Sequence, residues 1–93
     1  MRENNQEHQR NHRATLEKLA EARIESGELP AGFRGITHAG TGSGRSCDLC
    51  RRLIEKDGVE YEVEWHKGET VRVLRFHLEC FQAWLCSDPE HPN

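Results

Sequence analysis

Two pairs of possible metal ligands stand in separate parts of this chain. Cys47 and Cys50 lie in the run CDLC, and His77 and Cys80 lie in the run HLEC, with two residues between the ligands of each pair. Zn²⁺ in structural sites takes four Cys or His ligands in a tetrahedron, and two close pairs can supply them with little backbone strain. The spacing therefore predicts one structural zinc ion, with Fe²⁺ as an alternative occupant because thiolate-rich tetrahedral sites suit both metals.

Other uses of the four cysteines are less consistent with the sequence. A redox CxxC pair is expected at a helix start within a thioredoxin-like βαβ unit, and this pattern is absent from the sequence. Disulfides would leave His77 without a role and would need an oxidising compartment. The helical spacing places Cys86 on the face opposite the ligands, so we interpret it as a spare thiol. His8 and His12 could bind a metal weakly on a helix, but their polar surroundings favour a solvated tail.

The size and composition limit the kind of protein this can be. The chain has 93 residues, of which 34% are hydrophobic and 31% are charged. Chains this short and polar commonly need a metal, disulfides or oligomerisation to be stable. No apolar run approaches the roughly 20 residues of a membrane span, and the first ten residues lack the apolar core of a signal peptide. We therefore expect a cytoplasmic protein that does not enter a membrane.

The sequence pattern divides the chain into five parts. Residues 1–11 are polar and aperiodic and are expected to be a disordered tail. Residues 12–29 carry a narrow apolar stripe of Leu16, Leu19, Ala20 and Ile24, which predicts a helix over about 12–26 that ends at Gly27. A helix of this length is marginal alone, so the stripe must pack on the rest of the chain or on a second copy. Residues 30–45, 46–87 and 88–93 are predicted to be a linker, a zinc module and a tail.

The linker prediction rests on the glycines of residues 30–45. Its GTGSG run could suggest a phosphate-binding loop, but such a loop lies between a strand and a helix, and CDLC follows here instead. A flexible connector explains the composition without a ligand.

Residues 59–76 alternate apolar and acidic side chains, which predicts a β-hairpin. With a loop over residues 67–69, Trp65 would face Val71 and Val63 would face Val73, which would require either a bulge near Leu74 or burial of both faces of the strand. The amphipathic run HLECFQAWLCS then predicts a final helix that ends before Pro89. His77 and Cys80 would share one face of its first turn, together with Trp84. The predicted fold class is therefore α+β, a zinc-stabilised module of knuckle, hairpin and C-terminal helix, preceded by an N-terminal helix.

This order of elements resembles a treble-clef zinc finger over residues 46–87. The run FHLECF is also similar to the end of the first zinc module of LIM domains, where an aromatic residue precedes the histidine and a phenylalanine follows the cysteine. No second ligand set follows Phe81, so the resemblance implies a single finger rather than a LIM domain. The whole layout is similar to that of small bacterial proteins. The resemblance implies a fold and a metal, and treble clefs of this kind act as binding platforms.

Three functions remain as hypotheses, and none of them is catalytic, because a site with four protein ligands has no position for a reacting water. The first is a module that binds another protein, through the N-terminal helix or through Tyr61, Trp65 and Trp84, with a homodimer through the helix as one form. The second is a nucleic-acid-binding regulator. The third is a redox or metal sensor in which zinc release switches the fold.

The charge distribution disfavours the nucleic-acid hypothesis. Residues 47–93 carry six Lys/Arg against ten Asp/Glu, whereas binding to nucleic acid depends on basic residues that meet phosphates. The basic residues near the knuckle are Arg45, Arg51, Arg52 and Lys56, and acidic residues interrupt them.

Overall fold

The computed structural model describes residues 3–32 and 35–87, with side chains in the first helix described from residue 12 onward. The elements are α1 (Glu3–Ser26), β1 (Gly35–Thr41), β2 (Val59–Lys67), β3 (Thr70–Phe76) and α2 (Leu78–Ser87). The strands form one antiparallel sheet in the order β1-β2-β3. The structure is thus a small α+β fold. The predicted tail over residues 88–93 lies outside the described residues.

Helix α1 begins at Glu3, so the prediction of a disordered tail through residue 11 is wrong for residues 3–11. Those residues contain neither glycine nor proline, and a helix can extend through them without an apolar stripe of its own. The predicted end of the helix is confirmed. Gly27 adopts a φ of 86°, and its amide donates to the carbonyl of Ile24 at 3.1 Å, as expected for a left-handed glycine that terminates a helix.

The apolar stripe of α1 packs within the chain, mainly against α2. Leu16 and Ala20 are buried, and Leu19 and Ile24 are partly buried against the same core. At the far end of the contact, the Ser87 hydroxyl donates to the carbonyl of Glu17 at 3.0 Å. Of the two expected ways to cover the stripe, packing on the rest of the chain is therefore the one that the structure shows.

The β2–β3 hairpin closes with a two-residue turn, which corrects the predicted register by one residue. Lys67 pairs with Thr70, Val63 with Leu74 and Trp65 with Arg72. Gly68, at the first central position of the turn, has a φ of 60°, the conformation that a type II′ hairpin turn requires. This register places Val63 and Leu74 on one face of the sheet, where both are buried, so neither a bulge near Leu74 nor burial of both faces of the strand is required.

Strand β1 forms in the segment predicted to be a flexible linker, and that prediction is wrong for residues 35–41. The strand pairs antiparallel with β2 along its whole length, from Gly35 opposite Trp65 to Thr41 opposite Val59. A glycine at each end allows an unusually close approach. A Cβ on Gly35 would lie 1.7 Å from the carbonyl oxygen of Glu64, and one on Gly42 would lie 1.8 Å from that of Glu55. The glycines therefore fix the strand in place.

Two tryptophans hold the segment between α1 and β1. The indole N–H of Trp84 donates to the carbonyl of Pro30 at 3.0 Å, and that of Trp65 donates to the carbonyl of Gly32 at 2.7 Å. Trp84 also stacks on Phe76, with ring centroids 5.2 Å apart. Both indoles are buried, so the prediction that Trp65 and Trp84 form part of an exposed aromatic surface is wrong.

The core lies between the helices and one face of the sheet. Its largest fully buried side chains are those of Trp84, Phe76, Leu29, Leu49, Ile54, Val63 and Cys47. Side chains at every second position of β1, β2 and β3 lie on the opposite face of the sheet. Within the described part of the chain, no helix has the length and apolar character needed to span a membrane.

Candidate metal centre

The first ligand pair lies in a tight turn between β1 and β2. Ser46 and Leu53 form an isolated bridge, and inside it the Cys47 amide donates to the carbonyl of Arg52 at 2.8 Å. The Arg51 amide donates back to the carbonyl of Cys47 at 3.0 Å, with Arg51 at a φ of 70°. This left-handed residue reverses the chain directly after Cys50, so that both thiols point to the same side of the turn.

The second ligand pair lies where β3 passes into α2. Strand β3 ends at Phe76, and α2 begins at Leu78. The carbonyl of His77 accepts the amide of Phe81 at 2.9 Å, which makes it the first acceptor of the helix. Cys80 follows three residues later in the first turn, and residues at this spacing share one helix face. The predicted position of both ligands at the start of the final helix is confirmed.

Asp48 joins the two ligand-bearing segments. Its amide donates to the carbonyl of Arg75 at 2.7 Å, and its carboxylate Oδ2 accepts the amide of Arg75 at 2.7 Å. The residue next to Cys47 is therefore bonded twice to the residue two positions before His77. This pair of bonds fixes the distance between the knuckle and the end of β3.

The four predicted ligands converge. One ligand atom from each of Cys47, Cys50, His77 and Cys80 lies within 4.8 Å of all the others. The Nδ1 atom of His77 lies 3.4 Å from the Cys50 sulfur and 3.9 Å from the Cys80 sulfur. Tetrahedral bonds of the lengths that zinc makes to sulfur and nitrogen would separate neighbouring ligand atoms by about 3.6–3.8 Å. The four residues are thus positioned to bind a metal ion, and the donor set is compatible with zinc.

The ring of His77 is oriented by a backbone group outside the cluster. Its Nε2 atom lies 3.1 Å from the carbonyl oxygen of Leu53, and a carbonyl can only accept, so the proton of the neutral ring belongs on Nε2. The lone pair of Nδ1 then faces the three sulfurs. A second hydrogen bond of this kind is the usual way in which proteins fix the tautomer of a metal-binding histidine.

The thiols hold their protons unequally. The pKa of Cys47 is lowered to about 4, chiefly because the Cys80 thiol donates a hydrogen bond to it, with help from the amides of Cys50, His77 and Leu49. The same hydrogen bond to Cys47 raises the pKa of Cys80, and burial raises the pKa of Cys50. Without a metal ion the negative charge of the cluster therefore lies on Cys47, and a cation is needed before all three thiols can ionise together.

Helix α1 contributes to the position of the knuckle, which the sequence did not indicate. The Nε atom of Arg23 donates to the carbonyl of Leu49 at 2.6 Å, between the two knuckle cysteines. Glu28 accepts from Arg23 at 2.8 Å and also pairs with Arg51. A charged residue in the last turn of a helix is usually interpreted as a solvated group or a dipole partner, so only the folded structure reveals this contact.

The remaining possible ligands lie elsewhere. Cys86 is an exposed free thiol and does not belong to the cluster. The ring of His12 lies 3.0 Å from a carboxylate oxygen of Glu79, while the side chain of His8 lies outside the described residues. Among the described His, Cys, Asp and Glu residues, only the Cys47–Cys50–His77–Cys80 group has the geometry of a metal site.

Comparison with known proteins adds no relative to this picture. Neither a family model, nor a curated protein, nor a solved structure matches the chain. The functional argument therefore rests on the residues themselves.

Proposed function

We propose that this protein is a treble-clef-like zinc module in which a single zinc ion stabilises a platform that binds another protein. The observation that carries the proposal is the convergence of four ligand side chains, which together could fill all four tetrahedral positions of one ion. Cys47 and Cys80 are buried, and backbone groups orient the ligands on either side. Sites of this composition contribute folding free energy rather than reactivity.

Three sulfurs and one imidazole favour zinc over harder cations, because soft thiolate ligands select zinc and iron from the divalent metals of the cell. The treble-clef-like interpretation is supported by the order of elements, in which a knuckle precedes a hairpin and a helix carries the last ligand in its first turn. Strand β1 is an addition to that order. The likeness to LIM modules stays limited to the FHLECF run.

The absence of catalysis is proposed on the same ground. A hydrolytic zinc ion keeps one position for water or substrate, and in this site the fourth position belongs to a protein side chain. Bound zinc would then supply a charge that neutralises the thiolates, and the surrounding residues would orient those thiolates without presenting the ion to a substrate.

The partner-binding surface that we propose is the face of the sheet opposite the helices. Val71 and Val73 on β3 are 52% and 44% exposed, and Ile36 on β1 is 53% exposed. By the strand register, Glu64 lies between Ile36 and Val73. Apolar side chains on an open face, bordered by charges, are typical of protein-binding surfaces. We prefer this face to the two surfaces suggested by the sequence, because the apolar stripe of α1 packs largely against the core and Trp65 and Trp84 are buried.

The nucleic-acid alternative has less support. Arg51, one of the four basic residues near the knuckle, pairs with Glu28, and such an ion pair competes with phosphate binding. On the open face of the sheet, the charge of Arg75 is already paired with Glu60 and Glu62, and the neighbouring Glu64 would repel a phosphate backbone.

Two measurements test the proposal. Metal analysis of protein prepared without added zinc should give one zinc ion per chain, and cobalt substitution should give the visible spectrum of a tetrahedral sulfur-rich site. Iron in place of zinc, or protein that is fully folded without metal, would contradict the proposal that a zinc ion stabilises the fold.

The second measurement is affinity capture from the source cell. The wild-type protein should retain a specific protein that the variant with Val71→Ser and Val73→Ser loses. Val59→Ser, at a position 54% exposed that lies on the other face of the sheet, is the matched control and should keep it. Capture that is the same for all three proteins would refute the proposed surface.

A further inference from the structure

The outer edge of β1 is an unprotected strand edge. β1 has one neighbour, β2, in the sheet, and no other strand of the described chain pairs with it. Its sequence GITHAGT contains no proline, lysine or acidic residue, and its one-to-one register with β2 contains no bulge. Proline, charges and bulges are the devices by which proteins keep strand edges from pairing with other chains.

The register identifies which backbone groups point outward. The Gly42 amide donates to the carbonyl of Gly58 at 3.0 Å, which continues the β1–β2 register by one pair. Hydrogen-bonded and non-hydrogen-bonded pairs alternate in an antiparallel ladder. The even-numbered residues of β1 therefore bond to β2, and the amides and carbonyls of Gly35, Thr37, Ala39 and Thr41 point away from the sheet.

We propose that this edge pairs antiparallel with the same edge of a second copy of the chain, about a twofold axis at His38. The two three-stranded sheets would then become one continuous sheet, with every residue of β1 opposite a residue of the second copy. This inference goes beyond the proposed function and does not depend on the identity of the metal.

The strand is sterically complementary to itself in this register. On the open face of the sheet, Ile36 meets Gly40 of the second copy, so the largest side chain of the strand lies over a residue without one. On the other face Thr37 meets Ala39, and Gly35 meets Thr41. A symmetric interface requires this kind of self-complementary surface, and cross-strand neighbours of compatible size stabilise a strand pair.

Electrostatics permits the pairing. β1 carries no Lys, Arg, Asp or Glu, and the ring of its one histidine, His38, lies 3.5 Å from the carboxylate of Glu64 in its own sheet. The nearest acidic row, Glu60, Glu62 and Glu64 on β2, would lie three strand spacings from its counterpart, about 15 Å, which exceeds the Debye length of about 8 Å at physiological ionic strength.

The edge is also held ready for pairing. Gly35 and Gly42 lock the ends of β1 against the carbonyl oxygens of Glu64 and Glu55, so little ordering is needed when the second copy binds. Preorganised binding segments lose less entropy on association. Because the apolar stripe of α1 is packed against α2, the edge of β1 is a more suitable surface for self-association than the helix.

The first test is the oligomeric state of the zinc-loaded full chain, measured by light scattering and analytical ultracentrifugation from micromolar to millimolar concentration. The wild-type protein should form a dimer. Ala39→Pro removes an outward N–H from each copy and should weaken dimerisation about tenfold or more, because two hydrogen bonds are lost per dimer. Val71→Pro removes an outward N–H from the other edge strand, β3, and should leave the dimer intact. A wild-type monomer at all concentrations overturns the proposal, and so does a dimer that survives Ala39→Pro.

The second test is cross-linking in a Cys86→Ser background. His38→Cys should form an intermolecular disulfide on mild oxidation, because residues 38 of the two copies face each other in a non-hydrogen-bonded pair with Cβ atoms about 5 Å apart. Ile36→Cys has similar exposure on the same face, but its counterpart lies about four residues along the strand, roughly 13 Å away, so it should not cross-link. Equal cross-linking of both variants would refute the register, and the unmodified background shows any contribution of Cys47, Cys50 and Cys80.

Discussion

Asp48 and Arg75 form two hydrogen bonds that join the two ligand-bearing segments. The amide of Asp48 donates to the carbonyl of Arg75, and the carboxylate of Asp48 accepts the amide of Arg75, each at 2.7 Å. Each residue lies within two positions of a predicted ligand, Cys47 or His77. The contact therefore brings the two ligand pairs to metal-binding distance and is a target for mutation that leaves the ligands themselves unchanged.

Asp48→Ala should weaken the metal centre without abolishing it. The variant leaves the Arg75 amide without its acceptor, which costs about 1–3 kcal/mol for a group removed from water. Loss of groups that orient metal ligands typically lowers metal affinity about 10- to 100-fold. Competition with a chromophoric chelator measures the affinity, and urea unfolding measures the stability.

Asp57→Ala is the matched control, because this acidic residue is exposed in a turn between the knuckle and β2. It should bind zinc as the wild-type protein does. If Asp48→Ala and Asp57→Ala had equal affinity, the Asp48–Arg75 contact would have no part in positioning the ligands.

The ligand assignment itself is tested by two cysteines on the same helix. Cys80→Ser should abolish stoichiometric zinc binding and unfold the region around the sheet and α2, since zinc supplies on the order of 10 kcal/mol to the folding of small finger domains. Cys86→Ser should change the free energy of unfolding by no more than about 0.5 kcal/mol, because Cys86 is exposed. Zinc content and circular dichroism check both variants, and the reverse pattern would show that the ligand set is wrong.

The ligand cluster follows from the sequence more directly than the sheet does. Two ligand pairs at fixed spacing are local features, and the chemistry of zinc restricts what such pairs can do. Strand β1 gave no such signal, because GITHAGT consists mainly of small residues and its stability comes from pairing with β2, about twenty-five residues away along the chain. The close approaches at Gly35 and Gly42 are likewise contacts between distant segments.

The β2–β3 hairpin shows how one turn residue decides the pairing register of two strands. The run HKGE suggests a three-residue loop over residues 67–69, which would pair Val71 with Trp65 and Val73 with Val63. The positive φ of Gly68 allows a two-residue turn instead, which shifts every pair by one position and turns those valines outward. Leu74 and Phe76 then fill the core, and the apolar face of β3 differs from the one that the alternation suggested.

Acidification should release the metal. Protons compete with zinc for the three thiolates, so the zinc-dependent part of the stability is present at neutral pH and decreases as the pH falls. In the metal-free protein, the hydrogen bond from the Cys80 thiol lowers the pKa of Cys47 to about 4. Its own contribution is therefore full above the pKa of the unfolded thiol, about 8.5, and is lost as the pH falls through about 4.

In the metal-free protein, the raised pKa values of Cys50 and Cys80 change the stability with pH in the opposite direction. The contributions of Cys50 and Cys80 are full below the pKa of the unfolded thiol and are lost as the pH rises through their folded values. Thermal unfolding and zinc content, measured together from pH 8 to pH 4, check the prediction. A melting temperature that does not change while zinc is released would show that zinc does not stabilise the fold.

Gly40 and Gly42, which precede the knuckle in the chain, provide the sharpest test of how β1 packs. Gly42→Ala would place a Cβ 1.8 Å from the carbonyl oxygen of Glu55, and because this oxygen belongs to the backbone, the strand and the following loop would have to separate. We expect a loss of about 2–4 kcal/mol in the free energy of unfolding. Gly40→Ala meets no atom within 4 Å and should stay within about 0.5 kcal/mol of the wild-type protein. Chemical denaturation with zinc in excess measures both, and equal stability of the two variants would mean that β1 does not lie against residue 55 in solution.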